Sequence, residues 1–397
     1  MALDSLSRQG IVDRSSDTLR IRGFYFLMFG AVGCLFPYLV LYYQRAGLTG
    51  RQIGVLAAVT ALVTQLASPL WGLMGDSRAL RKRLLTAATA GAMVSAYLFS
   101  VTSSFGWLAI IAMMHSFFFS PISLLVDSTA LEVADAGRRS YGALRAWGTV
   151  GFVLTSLAIG RAVELAGLKT MFVGYALLMF GCLVLSLRFP ARRHEWTGPL
   201  RRGLGLLLAD RAFLVFLIGA FLLTAAMRPA NDFFALYLDA VGARESMVGL
   251  SWAIAALVEA PVVFFSGVLL RKLGARGLFL LACGAYAVRW FLYAEVTAPG
   301  VILMIQLLHG LSWAPYLVAG VVLTSEHAPE GLGATAQGVY SGTTMGLAGM
   351  TGSLVGGWLY DMVGVANLFR VCSLAAVLAL ALLLLSGRAR QAAARDA

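Results

Sequence analysis

Charge is scarce in this chain: 13% of its 397 residues are Asp, Glu, Lys or Arg, while 59% are hydrophobic. That ratio excludes a soluble protein folded around a core, because its apolar runs exceed the ~20 residues that cross a bilayer. Acids are the scarcer sign, 19 against 31 basic residues, for a net charge of +12. Cysteine is thin as well. Cys34, Cys182, Cys283 and Cys372 lie far apart inside apolar runs, which excludes a disulfide framework and leaves them as small core residues. There is no metal-spaced His/Cys/Asp cluster and no nucleophile-base-orienter set, so no metal, cofactor or enzyme chemistry is expected. No removable leader is expected. Residues 1–19 are polar, and the first apolar run lacks a small-residue cleavage signature, so it reads as an uncleaved span.

Hydropathy and the charged breaks predict twelve helices, at 20–43, 52–74, 84–103, 107–131, 142–163, 170–189, 212–238, 246–270, 277–296, 300–324, 333–360 and 365–386. An even number puts both termini on one side. With the termini inside, the outer connections hold only Arg45, Arg51, Arg161, Lys169 and Arg244. The inner ones hold clusters such as Arg81-Lys82-Arg83, Arg138-Arg139, Arg192-Arg193, Arg201-Arg202 and Arg271-Lys272. This positive-inside pattern assigns the surplus charge to topology and anionic headgroups, and no nucleic-acid partner is expected. The chain reads as a multi-pass protein of the cell (inner) membrane with both termini cytoplasmic. The expected divisions are a cytoplasmic segment 1–19, a six-helix bundle 20–189, a central loop 190–211 containing Pro190, Gly198 and Pro199, a second six-helix bundle 212–386, and a tail 387–397.

The halves repeat. His115 and Pro121 are matched 194 residues later by His309 and Pro315, and Glu132 by Glu326; Gly160, Glu164 and Gly167 return after 197 residues as Gly357, Asp361 and Gly364. Six helices per half give both halves one orientation, a parallel-repeat plan in which the chain resembles the major facilitator superfamily. Glycines crowd the fifth run (Gly142, Gly148, Gly151, Gly160) and the eleventh (Gly342, Gly346, Gly349, Gly352, Gly356, Gly357). Small residues at such spacings let helices approach closely.

Charges within the apolar runs are the functional candidates, because hydrocarbon tolerates them only when they are paired or line a wet cavity. Asp127 and Arg145 each stand nine residues from the turn near Ala136. On antiparallel helices they therefore share a depth, roughly 13 Å at ~1.5 Å per residue. Such a pair either binds a solute or pins two helices. Arg289 and His309 each lie ten residues from the turn at Pro299-Gly300, which is ~15 Å deep in a ~30 Å core. Gln306, one turn before His309, shares nearly the same face and can donate and accept. Glu259 is the one acid deep in the eighth run. Loss of water favours the neutral form of a carboxyl, which nominates Glu259 either as proton carrier or as a partner for Arg289. In the seventh run Arg228 and Asp232, four apart beside Pro229 and Asn231, either neutralise each other or line a cavity.

The segment GLMGDSRALRKRLL, with Gly72, Asp76, Arg81 and Lys82, resembles the superfamily's signature between helices two and three, and its ending is similar to that of the lactose-permease-like branch. The resemblance implies a cytoplasmic latch that gates alternating access. Asp127 and Arg145, eighteen apart, match the acid and arginine with which that branch holds sugar. Phe152 falls at its stacking tryptophan, and Arg289 and His309 match its proton-coupling pair. Ser312 and Ala256 stand where the branch has glutamates, which argues against a galactoside. With Gln306 and Glu259 included, the chain looks most like members that include 3-phenylpropionate transporters and nucleoside:proton symporters. The resemblance implies an all-α membrane protein of twelve helices in two six-helix bundles, taking up a small organic solute with protons by alternating access. Two buried arginines suit an aromatic carboxylate whose ring meets Phe152. Nucleoside or sugar symport and proton-driven efflux of amphipathic compounds are the rival expectations. The expected partners are a small-molecule solute, protons and the lipid bilayer, with the chain acting as a monomer.

Overall fold

The computed structural model describes residues 2–75, 78–137, 140–189, 207, 209–330 and 332–393, and every regular element among them is helical. Each of the twelve apolar runs is met by helix. The first half comprises α1 (Ala2–Leu35) and its short continuation α2 (Leu39–Arg45), α3 (Gly50–Gly75), α4 (Arg78–Phe99), α5 (Phe105–Gly137), α6 (Tyr141–Ala166) and α7 (Thr170–Ser186). The second half comprises α8 (Arg211–Asp232) continued by α9 (Phe234–Ala240), then α10 (Glu245–Phe264) and α11 (Ser266–Glu295). Next, α12 (Pro299–Ile305) passes through a 3-10 turn at Gln306–Leu308 into α13 (His309–Glu326). Finally, α14 (Gly333–Ser341) passes through a π-helical stretch at Gly342–Ala348 into α15 (Gly349–Ala393).

Two expected loops shrink to one residue each. Within α11 and α15 the chain turns at Gly274 (φ 68°) and Gly364 (φ 75°). A Cβ is strained at such positive φ, and glycine is not. Positive φ also extends the repeat: Gly47 and Gly242, 195 residues apart, join the matched pair Gly167 and Gly364, 197 apart, and all four have positive φ.

The outward surface is apolar. Leu66, Leu154, Leu177, Phe264 and Leu385 are all more than half exposed, a surface suited to hydrocarbon, with the backbone polar groups satisfied inside helices. The protein is a multi-pass membrane protein.

Contacts divide the chain into two compact units. The first holds residues 1–42, 63–197 and 248–253, and the second holds 43–62, 198–247 and 254–397. In the first, α1 packs against α6 and α7, and α4 against α5 and α7. The crowded glycines make the close approaches expected of them: Gly148 lies on the Phe29 ring and Gly151 on the Phe26 carbonyl. In the second unit α15 packs against α8 and α11, and α11 against α13, with Gly352 on the Ala225 carbonyl and Gly356 on Pro229. Gly151→Val should therefore lower thermal stability in detergent by the ~1–3 kcal/mol typical of overpacking. Gly284→Val, where an added Cβ meets open space, should not.

The second unit also contains an unusual helix cap. The Asp361 carboxylate, on α15, accepts from the backbone N–H groups of Gly50 at 2.7 Å and Arg51 at 2.8 Å, the first two residues of α3. Both donors lack partners within their own helix, and a negative charge suits a helix N-terminus. Asp361→Ala should cost about 1 kcal/mol, as for loss of an ordinary N-cap. It should also speed alkylation of a cysteine placed at the buried Ser353, whose carbonyl faces Gly54.

Candidate functional site

Two polar clusters stand out, one in each unit. In the first, α5 and α6 run as an antiparallel pair and bring Asp127 to Arg145. Arg145 Nη1 donates to Oδ1 at 3.1 Å and to Oδ2 at 3.2 Å. The matched depth expected from the sequence is therefore realised as contact. Asp127 also accepts from Tyr25 at 2.6 Å, Tyr141 at 3.0 Å and Ser123 at 3.0 Å, so its lone pairs are almost fully used. The guanidinium lies over the Phe29 ring, 5.3 Å from its centroid. Among the described residues it uses Nη1 alone for protein partners, and its side chain is 43% exposed. Asp127 thus holds Arg145 in place, while Nη2 and Nε remain able to donate to a solute.

In the second unit, α11 and α13 bring Arg289 to His309. Arg289 Nη1 donates to His309 Nδ1 at 2.7 Å and to Ser312 Oγ at 2.8 Å. A guanidinium only donates, so Nδ1 must be the acceptor and the ring proton sits on Nε2. Nε2 meets Glu259 Oε1, on α10, at 2.7 Å. The result is a directed chain, Arg289 to His309 to Glu259, ending on a carboxyl that is 27% exposed while Arg289 and His309 are buried. Tyr286 and Tyr293 flank the guanidinium, 5.7 and 5.6 Å from its carbon. Tyr293 donates to Gln306 Oε1, and the 3-10 turn at Gln306–Leu308 sets Gln306 beside it.

The remaining sequence candidates fall as follows. Phe152 is half-buried two turns from Arg145, and the ring under the guanidinium is Phe29 instead. Arg228 Nε lies 3.3 Å from Asp232 Oδ2, close but poorly aligned for a hydrogen bond, and Ser353 donates to the same oxygen at 3.1 Å. Asn231 beside them is half-buried. Arg81 is buried and donates to Glu132 at 3.0 Å, tying α4 to α5, whereas Lys82 is exposed. Gly72 lies on α3, and Asp76 lies outside the described residues. The histidine repeat conceals a difference in chemistry. His115, the counterpart of His309, bonds Ser95 at 3.1 Å amid Phe99, Phe119 and Tyr175, with no charged partner among the described residues.

Sequence reasoning missed Tyr25, Phe29, Tyr141 and Ser123. Ser123 and Tyr141 stand four residues before Asp127 and Arg145 and were within reach of helical periodicity. Tyr25 and Phe29 come from α1, and only the packed helices bring them in.

An all-helical membrane fold with a parallel internal repeat and a charge cluster inside each unit defines a secondary transporter of the major facilitator type. The chain belongs to the MFS_1 like family, whose family model matches residues 18–371. It is 32% identical to a maltose permease of Geobacillus stearothermophilus, over 93% of this chain and 94% of that one. It is 27% identical to a probable 3-phenylpropionic acid transporter of Escherichia coli, over 86% and 90%. A solved structure of the nucleoside transporter NupG shares the fold, with a TM-score of 0.80 at 18% identity, covering 92% of this chain and 97% of that one.

Proposed function

We infer that this transporter takes up a neutral, hydroxyl-rich solute, a sugar or nucleoside, together with protons. The observation that carries this reading is the charge balance. Arg145 is matched by Asp127 at 3.1 Å, and Arg289 is linked through His309 to Glu259. Among the described residues neither cluster has a positive charge to spare for an anion while Glu259 is ionised, whereas hydroxyls can accept from Arg145 and pack on Phe29 in either state. The names of two relatives, maltose permease and putative nucleoside transporter, belong to the same solute chemistry. In this reading Asp127, Arg145 and Gln306 orient the solute, and Glu259 carries the proton under control of His309 and Arg289. Gly72, Asp76, Arg81 and Lys82 form the latch. Arg228, Asn231 and Asp232 form a self-neutralised support. The working unit is a monomer in the inner membrane with both termini cytoplasmic, and the bundles 20–189 and 212–386 move in alternating access.

An aromatic carboxylate is the second reading. Two observations favour it: Arg289 Nε is buried without a hydrogen-bond partner among the described residues, and one relative is named a probable 3-phenylpropionic acid transporter. Counterflow in proteoliposomes with labelled maltose, a nucleoside and 3-phenylpropionate, without a pH gradient, separates the two. Exchange of maltose or the nucleoside is expected. Exchange of 3-phenylpropionate alone would overturn the neutral-solute reading. Exchange of none, with export of amphipathic compounds, would establish efflux.

A further inference from the structure

Away from both clusters, the second unit contains a cavity of about 310 Å³ between α8, α11, α13 and α15. That volume lies at the lower end of the ~300–1,000 Å³ typical of small-ligand sites. Its walls are apolar, with Val215, Phe216 and Phe279, and three basic side chains line it: Arg211, Arg276 and His327. His327 lies nearly parallel to Phe216, at 7°. Its Nδ1–H donates to the Leu323 carbonyl at 2.8 Å, which leaves Nε2 for another partner. Arg276 donates through Nη2 to the Leu383 carbonyl. Arg211 has no hydrogen-bond or ion-pair partner among the described residues, and the adjacent Asp210 is turned to cap α8 through Ala212 N–H at 2.8 Å. Arg211, Val215 and Ile218 share one face of α8, and Ile218 is 52% exposed. The face thus runs from a cation through an apolar wall to an apolar surface.

We propose that this cavity binds an anionic phospholipid, its phosphate held by Arg211 and Arg276 and its acyl chain running past Val215 toward Ile218. A soluble anion would use the arginines but has no use for the apolar walls. A zwitterionic lipid would use the walls but carries no net charge for an unpaired arginine. Basic pockets between membrane helices are suited to such headgroups, and each basic side chain near an anionic surface adds a factor of about five in binding.

Native mass spectrometry of the purified full chain, with phosphatidylglycerol and phosphatidylcholine added in equal amounts, tests this directly. Retention of phosphatidylglycerol over phosphatidylcholine is expected. Arg211→Gln should reduce it about five-fold and Arg211→Gln with Arg276→Gln further, while Arg83→Gln with Arg188→Gln, which removes the same charge from exposed positions that do not line the cavity, should not. If the double variant does not fold, Arg211→Gln alone decides, because that side chain makes no hydrogen bond or ion pair among the described residues. Val215→Trp, which fills the cavity and keeps the charges, should also lose the lipid. Equal loss in the Arg83/Arg188 variant, or unchanged retention in Arg211→Gln and Val215→Trp, would overturn the site. Equal stabilisation by inorganic phosphate would overturn the lipid assignment in favour of a soluble anion.

Discussion

Glu259→Gln is expected to abolish uphill accumulation of the solute while leaving exchange at equal concentrations largely intact. A one-unit pH gradient is worth about 1.4 kcal/mol per proton, enough for about ten-fold accumulation at one proton per solute. The variant should therefore fall from about ten-fold to equality inside and outside. The geometry explains the split. The glutamine carbonyl can still accept from His309 Nε2, as Glu259 Oε1 does at 2.7 Å, so His309 and Arg289 stay in place. The amide cannot take up the proton that the carboxyl carries. Loss of both exchange and accumulation would make Glu259 a structural support for His309.

The second large effect concerns Asp127 and Arg145. Asp127→Ala removes the acceptor shared by Tyr25, Tyr141, Ser123 and Arg145. It should reduce uptake at least about a hundred-fold if solute orientation rests on this arginine. The stability cost should be about 1 kcal/mol, the low end for stranded polar groups, because the pair is partly open to solvent. Exchanging the charges, Asp127→Arg with Arg145→Asp, separates binding from helix pinning. The exchanged pair can still join α5 to α6 and should restore thermal stability. It moves the free donor edge to the wrong helix, away from Phe29, and should leave uptake abolished. Recovery of uptake in the exchanged protein would mean that the pair only fastens two helices.

What could be read beforehand depended on whether a relation ran along one helix or across one turn. Asp127 with Arg145, and Arg289 with His309, were legible because equal distances from a turn give equal depths on antiparallel neighbours. The meeting of Glu259 with His309 joins α10 to α13, which no spacing encodes. Glu259 was singled out as an isolated acid in an apolar run, either a proton carrier or a partner for Arg289, and the carboxyl meets His309. Ser312 read as a missing glutamate, yet in the fold it accepts from Arg289, a role that only the rotation of α13 against α11 reveals. The expectation of an anionic solute came from counting two buried arginines. In the fold Arg145 is paired with Asp127 and is 43% exposed rather than buried, and Arg289 is linked through His309 to Glu259, which is the ground on which the neutral-solute reading is proposed. The fold was more legible than the site, since hydropathy marks the helices directly. The single-glycine turns at Gly274 and Gly364 were not legible as such, because backbone angle rather than composition ends those helices.

The central claim, that solute entry and proton entry are one event routed through Glu259, is tested most directly by following protons. Proteoliposomes carrying a pH-sensitive dye are given the solute identified by counterflow, with no gradient imposed. The account predicts that the lumen acidifies as solute enters, and that Glu259→Gln admits solute on exchange with no acidification. Solute entry in the unaltered protein with a steady internal pH would contradict it.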